Sequence, residues 1–419
     1  MDSISTQNLQ RRTIKVLATT QVLSGVGVAG TVATGSLLVA SISNSETLAG
    51  LAQTSSVLGA AAMAIPLSKF TQRGGRRLGL SIGYFVGFIG AAFAIFGGSQ
   101  RNLIAMLIGT FLVGAASASG YQARFAAIDL AQDEHRSKQL SYVVWGSTVG
   151  AVAGPNLMGP SGAFATTLGL PKLVGPYILA VITLGLGTLV IRLFLNPDPY
   201  LTARGIRDAK NESQVLLSAR RTLKIISKNP RALFAIASIA IGHVAMVSVM
   251  VMTPVHMAHV DVSLNIIGLV ISIHILGMYA FSPIIGSLSD RFGRRTIIQA
   301  GIVILLLASL ISGTADAHDS FTLGVGLFLL GLGWSCTLIG GSTALSESVS
   351  TELRPSSQGA SDLLMNLMGA GGGAIAGVII GTLGYGWLCF VAAVPVTALG
   401  LWSFSKPLRE TSNSVDSRL

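Results

Sequence analysis

Twelve stretches of roughly twenty or more apolar residues, separated by short polar joints, fill this 419-residue chain. A helix of that length just crosses a hydrocarbon layer about 30 Å thick. The approximate limits are 14–42, 47–69, 77–98, 102–130, 138–162, 175–195, 232–257, 263–288, 295–314, 320–347, 356–383 and 385–404. With 51% of residues hydrophobic and 11% charged, most of the chain must have lipid rather than water as its solvent. The apolar runs are continuous and show no period-two alternation, and a helix satisfies its own backbone hydrogen bonds in lipid. The expected fold class is therefore an all-α membrane protein with twelve transmembrane helices. The 50 glycines fit close helix packing, as in Gly114–Gly120 and Gly369–Gly377.

The net charge of +11 does not indicate a nucleic-acid partner, because its placement is one-sided. With the N-terminus inside, the inner loops and tails hold Arg11, Arg12, Lys15, Lys69, Arg73, Arg76, Arg77, Arg136, Lys138, a basic cluster in 204–231, Arg291, Arg294, Arg295, Arg354, Lys406 and Arg409. The opposite loops hold Arg101 and Lys172 among the acids Glu46, Asp261, Asp316 and Asp319. This positive-inside pattern predicts a multi-pass protein of the cytoplasmic membrane with both termini cytoplasmic. The first apolar run is too long for a signal-peptide core, so no cleaved leader is expected. Cys336 and Cys389 lie inside apolar runs and suggest no disulfide framework.

One long polar stretch divides the chain. The reading is a six-helix bundle over 1–195, a cytoplasmic connecting loop over 196–231, and a second six-helix bundle with a short tail over 232–419. Within the loop, residues 213–227 place apolar side chains at helical spacing opposite a basic face, as a helix lying on the membrane surface would. The halves also repeat. Gly286-Ser-Leu-Ser-Asp290-Arg291-Phe-Gly293-Arg294-Arg295 is echoed by Ser68-Lys-Phe-Thr-Gln72-Arg73-Gly-Gly75-Arg76-Arg77, and Arg354-Pro-Ser-Ser-Gln358 by Arg136-Ser-Lys-Gln139. Internal duplication of this kind is the plan of rocking transporters.

Over its whole length the chain resembles the major facilitator superfamily. Gly286–Arg295 fills every main position of that superfamily's loop signature, which implies a gating latch built from Gly286, Asp290, Arg291, Gly293 and Arg294. The first-half copy has Gln72 where Asp is expected and Ser68 where Gly is, which implies a weaker carboxylate latch there. In helix 5, Gly150, Gly154 and Pro155 resemble part of an antiporter signature, whose plainer reading is a kinked packing helix.

Histidine and methionine are unevenly spread: nine of the six histidines and eleven methionines fall between His243 and Met278. Met246 and Met250 share one helix face, and His274 and Met278 share another. Counting equal distances from an outer turn near residue 260 puts Met246 and His274 at similar depth. Thioethers with imidazole suit copper, especially Cu(I), although packing is the commoner use of both residue types. The pattern also resembles the CcoA-type copper importers of the CalT family. The resemblance implies copper binding by Met246, Met250, His274 and Met278, with copper as cargo and no resident cofactor. Riboflavin transporters resemble the same branch.

Asp362 and Asn366 lie a turn apart in helix 11, and Arg124 is a cation inside helix 4 that needs a carboxylate or carbonyl partner. Asp362 and Arg124 are thus candidates for ion coupling, with structural pairing as the alternative for Asp362. No nucleotide-binding loop, catalytic triad or paired catalytic carboxylates are recognisable, so an enzyme is not expected. The reading is a secondary transporter acting by alternating access, as a monomer, on copper in the uptake direction. The alternative is a proton-coupled transporter of an organic solute, riboflavin-like or a drug.

Overall fold

The protein is described by a computed structural model over residues 3–44, 48, 50–208, 226–258, 262, 264–316 and 318–405. The surface helix expected over 213–227 lies almost wholly outside the described residues, as do His259 and Asp261. All regular elements among the described residues are helical. They are α1 (Ser3–Ser43), α2 (Leu51–Ser99), α3 (Leu103–Ala126), α4 (Arg136–Asn156), α5 (Met158–Thr167), α6 (Gly175–Phe194), α7 (Pro199–Asp208), α8 (Pro230–Ala258), α9 (Leu264–Tyr279), α10 (Ser282–Phe292), α11 (Arg294–Thr314), α12 (Ser320–Glu347), α13 (Arg354–Leu383) and α14 (Tyr385–Ser403).

Ten described segments are long and apolar enough to cross a membrane. The twelve expected crossings are recovered once two backbone breaks are considered. The 49-residue α2 is two crossings joined at Gly75, where φ is 83°. Conversely, the fifth crossing is divided into α4 and α5 at Leu157, two residues after Pro155: the 10-residue α5 is too short to cross alone, and the 21-residue α4 is long enough but not apolar enough. The eighth is also divided, contrary to the single helix expected over 263–288: α9 ends at Tyr279 and α10 begins at Ser282, with Pro283 in its first turn.

The exposed surface is that of a protein solvated by lipid. Phe321 is 82% exposed, Leu401 74% and Ile104 72%, whereas Arg76, Arg124 and Asp362 are buried. Water would reverse that order.

By contact the chain forms two compact units, the first comprising Met1–Val215 with Gln358–Leu367 and the second Leu216–Ser357 with Met368–Leu419. In the first, α1 packs on α4 and α6, and α2 on α3 and α6. Glycines set the closest approach: a Cβ on Gly150 would lie 2.5 Å from Gly25 Cα, and one on Gly154 would lie 2.7 Å from Ala29 Cβ. The helix-5 signature glycines are therefore contacts to α1. In the second unit α12 is central, receiving α8, α9 and α11, while α14 packs on α8 and α11.

The duplication extends to single residues. Asn102 caps α3 by accepting from Ala105 N–H at 3.0 Å, and Asp319 caps α12 by accepting from Thr322 N–H at 3.0 Å. The Thr322 hydroxyl and N–H together hold the Asp319 carboxyl below its ordinary range. Gly75 and Gly293 occupy the same signature position, and both have backbone geometry open essentially only to glycine, with φ of 83° and 92°. Their surroundings differ. A Cβ on Gly75 would sit 2.4 Å from the Asp198 carboxylate carbon, whereas one on Gly293 would meet nothing within 4 Å. Gly293→Ala should therefore cost about 1–3 kcal/mol of backbone strain, and Gly75→Ala distinctly more. Thermal unfolding of both variants in detergent checks the order, and equal losses would contradict it.

Candidate functional site

Two buried ion pairs dominate the first unit. Arg76 opens the second half of α2 immediately after the Gly75 break, and Asp129 follows the end of α3. They meet side by side: Arg76 Nε donates to Asp129 Oδ2 at 2.7 Å and Nη2 donates to Oδ1 at 3.1 Å. Nη2 also donates to Gln358 Oε1 at 2.7 Å. Both ionic side chains are almost fully buried, at 1% and 0% exposure. Each carboxylate oxygen has a donor, as expected of a structural pair in a medium that cannot hydrate it.

The second pair is made differently. Arg124, near the end of α3, donates from Nη2 to Asp362 Oδ1 at 2.7 Å, with the two side chains 3% and 0% exposed. Asp362 Oδ2 is buried and has no hydrogen-bond partner among the described residues. The guanidinium carbon lies 4.6 Å from the Phe125 ring centroid and 5.9 Å from that of Tyr121. Aromatic faces thus help to hold the cation in place. Asn366 donates to the backbone carbonyl of Asp362 at 2.7 Å, holding the local turn of α13. The residues expected separately as a coupling acid and a cation in need of a partner are partners of each other.

The loop signature is assembled in both halves with different carboxylates. In the intact copy Arg294 binds Asp290 at 2.8 Å and Glu347, at the end of α12, at 3.0 Å. Gly286 is buried on α10, while Arg291 is exposed with its guanidinium carbon 5.2 Å from the Phe292 ring centroid. In the first copy, the weakness expected from Gln72 is offset. Asp129 takes the arginine, and Asp198 accepts from the backbone N–H of Arg77 at 2.7 Å and from those of Tyr200 and Leu201 at 3.0 and 3.1 Å. Arg77 then donates to Arg192 O on α6, and Arg295 donates equivalently to Ser403 O on α14.

The methionine and histidine pairs lie on separate helices, α8 and α9. The helices α8 and α9 touch each other little, and each leans on α12. His274 Nδ1 donates to Leu327 O of α12 at 2.7 Å. A Cβ on Gly331 of α12 would lie 2.8 Å from Met278 N and 3.1 Å from its Cγ, so Met278 lies against α12 as well. Gly277 and Gly331 cause this geometry, since they remove the side chains that would keep α9 and α12 apart. Met246 is buried and Met250 half-buried on α8. His274 Nε2 is buried without a hydrogen-bond partner among the described residues. Of the neighbouring histidines, His243 Nδ1 accepts from Trp334 Nε1 at 3.2 Å, and His256 stacks on Tyr385 with centroids 4.2 Å apart. Among the described residues no group of three or more His, Cys, Asp or Glu side chains is placed to hold a metal ion.

A duplicated all-helical chain, exposed to lipid and burying charges within its crossings, has the build of a secondary transporter. The family model for the Major Facilitator Superfamily matches residues 17–263 and 245–419, and the chain belongs to that family of transporters, which are not enzymes. It is 34% identical to the uncharacterized MFS-type transporter YddS of Bacillus subtilis (strain 168), with 94% of this chain and 91% of the relative covered. It is 27% identical to the riboflavin transporter RfnT of Brucella anthropi, over 93% and 94% of the two chains. In fold it is similar to the human organic anion transporter MFSD10, with a TM-score of 0.73 at 17% identity over 94% of this chain and 99% of that one. The Escherichia coli transporter FucP in its outward conformation gives a TM-score of 0.71 at 17% identity, over 93% and 97%.

The two signature pairs differ in burial, and their deletion should differ in cost. Asp129→Ala leaves Arg76 buried without its carboxylate and should cost about 3–5 kcal/mol. Glu347 is 30% exposed, and Arg294 retains Asp290, so Glu347→Ala should cost about 0–1 kcal/mol. Thermal stability in detergent measures both, and a Glu347 loss as large as that of Asp129 would refute the assignment.

Proposed function

We propose that this transporter carries a small organic solute across the cytoplasmic membrane, coupled to protons through Asp362, with both termini cytoplasmic and the monomer as the working unit. The observation that carries the reading is the Arg124–Asp362 pair. A carboxylate buried in a membrane crossing, held by one hydrogen bond and with its second oxygen idle, can take a proton without dismantling a larger network. The full-length relationship to RfnT supports an organic rather than a metallic cargo.

A second reading, copper uptake through Met246, Met250, His274 and Met278, keeps one observation in its favour: His274 Nε2 is buried and unpartnered. Against it, His274 and Met278 are used as contacts to α12.

Uptake in proteoliposomes separates the readings, comparing radioactive copper, riboflavin and a lipophilic cation with and without a pH gradient. An organic solute should accumulate in response to the gradient, and Asp362→Asn should lose the gradient-driven part. Copper accumulation that disappears in both Met246→Ala and His274→Ala would overturn the proposal in favour of the metal.

A further inference from the structure

The glycines of the eleventh crossing are only partly used for packing. A Cβ on Gly369 of α13 would lie 2.8 Å from the His243 ring, and one on Gly372 would lie 2.3 Å from Val244 Cγ2, so the middle of α13 rests directly on α8. Further along, a Cβ on Gly377 or Gly381 would meet nothing within 4 Å. After the turn at Gly384, α14 packs on α8 and α11. The space left among α8, α13 and α14 is a cavity of about 220 Å³, formed wholly by residues of the second unit.

We infer that this cavity is a binding site for one acyl chain of a membrane lipid. Its shape is a slot. It runs from Gly372 to Ile379 along α13 and from Leu388 to Pro395 along α14, about 10 Å of helix in each case. Volume divided by length gives a section of about 22 Å², room for one hydrocarbon chain lying parallel to the helices. The floor is closed: Ala245, Ala376 and Leu388 are each 1% exposed. The rim is open, with Ile375 61% and Val391 40% exposed, and it continues into the lipid-facing surface that carries Val378 and Val394. Apart from Ser248, the lining side chains are apolar. Water has little to bind there, since an engineered apolar cavity of about 150 Å³ stays dry and takes up apolar molecules instead. An empty slot would leave its lining without van der Waals partners on one side, so a chain entering from the lipid gains by closer packing. A helix of a second copy, about 10 Å across, is too wide to enter.

The test places the full chain in liposomes of phosphatidylcholine carrying a diazirine in one acyl chain, irradiates them, and maps the adducts by mass spectrometry. Adducts should appear on the floor residues Ala245, Ala376 and Leu388 although all three are buried, as well as on Val303 and Leu310 of α11, which are 56% and 52% exposed. Ala376→Leu fills the slot from α13. It should lower the labelling of Ala245 and Leu388 about fourfold for each methylene of the chain it displaces, and leave that of Val303 and Leu310 unchanged. If Ala376→Leu does not fold, Ala392→Leu fills the slot from α14, and the wild-type pattern is decisive by itself. Adducts confined to exposed residues would overturn the inference, as would floor labelling that the filled variant keeps. Loss of floor labelling when riboflavin is added would also overturn it, by giving the slot to an organic cargo.

Discussion

A hydrocarbon layer cannot solvate charge, so every buried ion in this chain must bring its own counter-ion, and that requirement governs how the first unit is assembled. The segment Gln358–Leu367, more than a hundred residues beyond the rest of that unit, clusters with it. Its attachment is polar. Gln358 and Asp362 stand one helical turn apart on the same face of α13, and they reach Arg76 and Arg124, two arginines brought close by α2 and α3. Close approach is possible because the residue between them is small: a Cβ on Gly359 would lie 2.7 Å from Ser68 Cβ. Apolar packing alone would not select this register, since lipid tails are as apolar as leucine.

The duplicated loop shows one backbone solution reached with two sets of side chains. The glycine break is the same at Gly75 and Gly293, and the second arginine of each copy, Arg77 or Arg295, reaches a carbonyl at the end of the sixth helix of its half. The acids have moved. In the second copy the carboxylate lies four residues before the arginine, at Asp290, with Glu347 supporting it. In the first copy the equivalent position is Gln72, while Asp129 and Asp198 supply the charge from neighbouring segments. What the geometry requires is a counter-charge near the arginine and an acceptor for the turn's N–H groups, and neither need come from the turn itself.

Much of this was legible in the sequence, for identifiable reasons. Crossings, the repeat and the special glycines are local properties, carried by hydropathy and by neighbouring residues. The Arg124–Asp362 pair was legible only as two separate needs, because 238 residues separate the partners and no spacing rule reaches that far. The pairing of Glu347 with Arg294 was hidden in the same way, by a separation of 53 residues. The packing of the methionine- and histidine-bearing helices was not legible for a different reason. Counting depth along an assumed hairpin ignores which faces the helices turn to one another, and that was decided by Gly277 and Gly331 on the α9–α12 contact.

The identity of the cation at position 124 narrows the chemistry of the pair. An arginine keeps its proton throughout the range proteins experience, whereas a lysine buried in the same place could shed its charge instead. Either member of a Lys–Asp pair could absorb a change in protonation, by the amine becoming neutral or the acid becoming neutral. In an Arg–Asp pair only the carboxyl can change. The planar guanidinium can also lie against a ring, as Arg124 does at 4.6 Å from Phe125, and so keeps its place when its carboxylate is neutralised. A fixed cation beside a single titrating acid has two charge states, balanced and net positive.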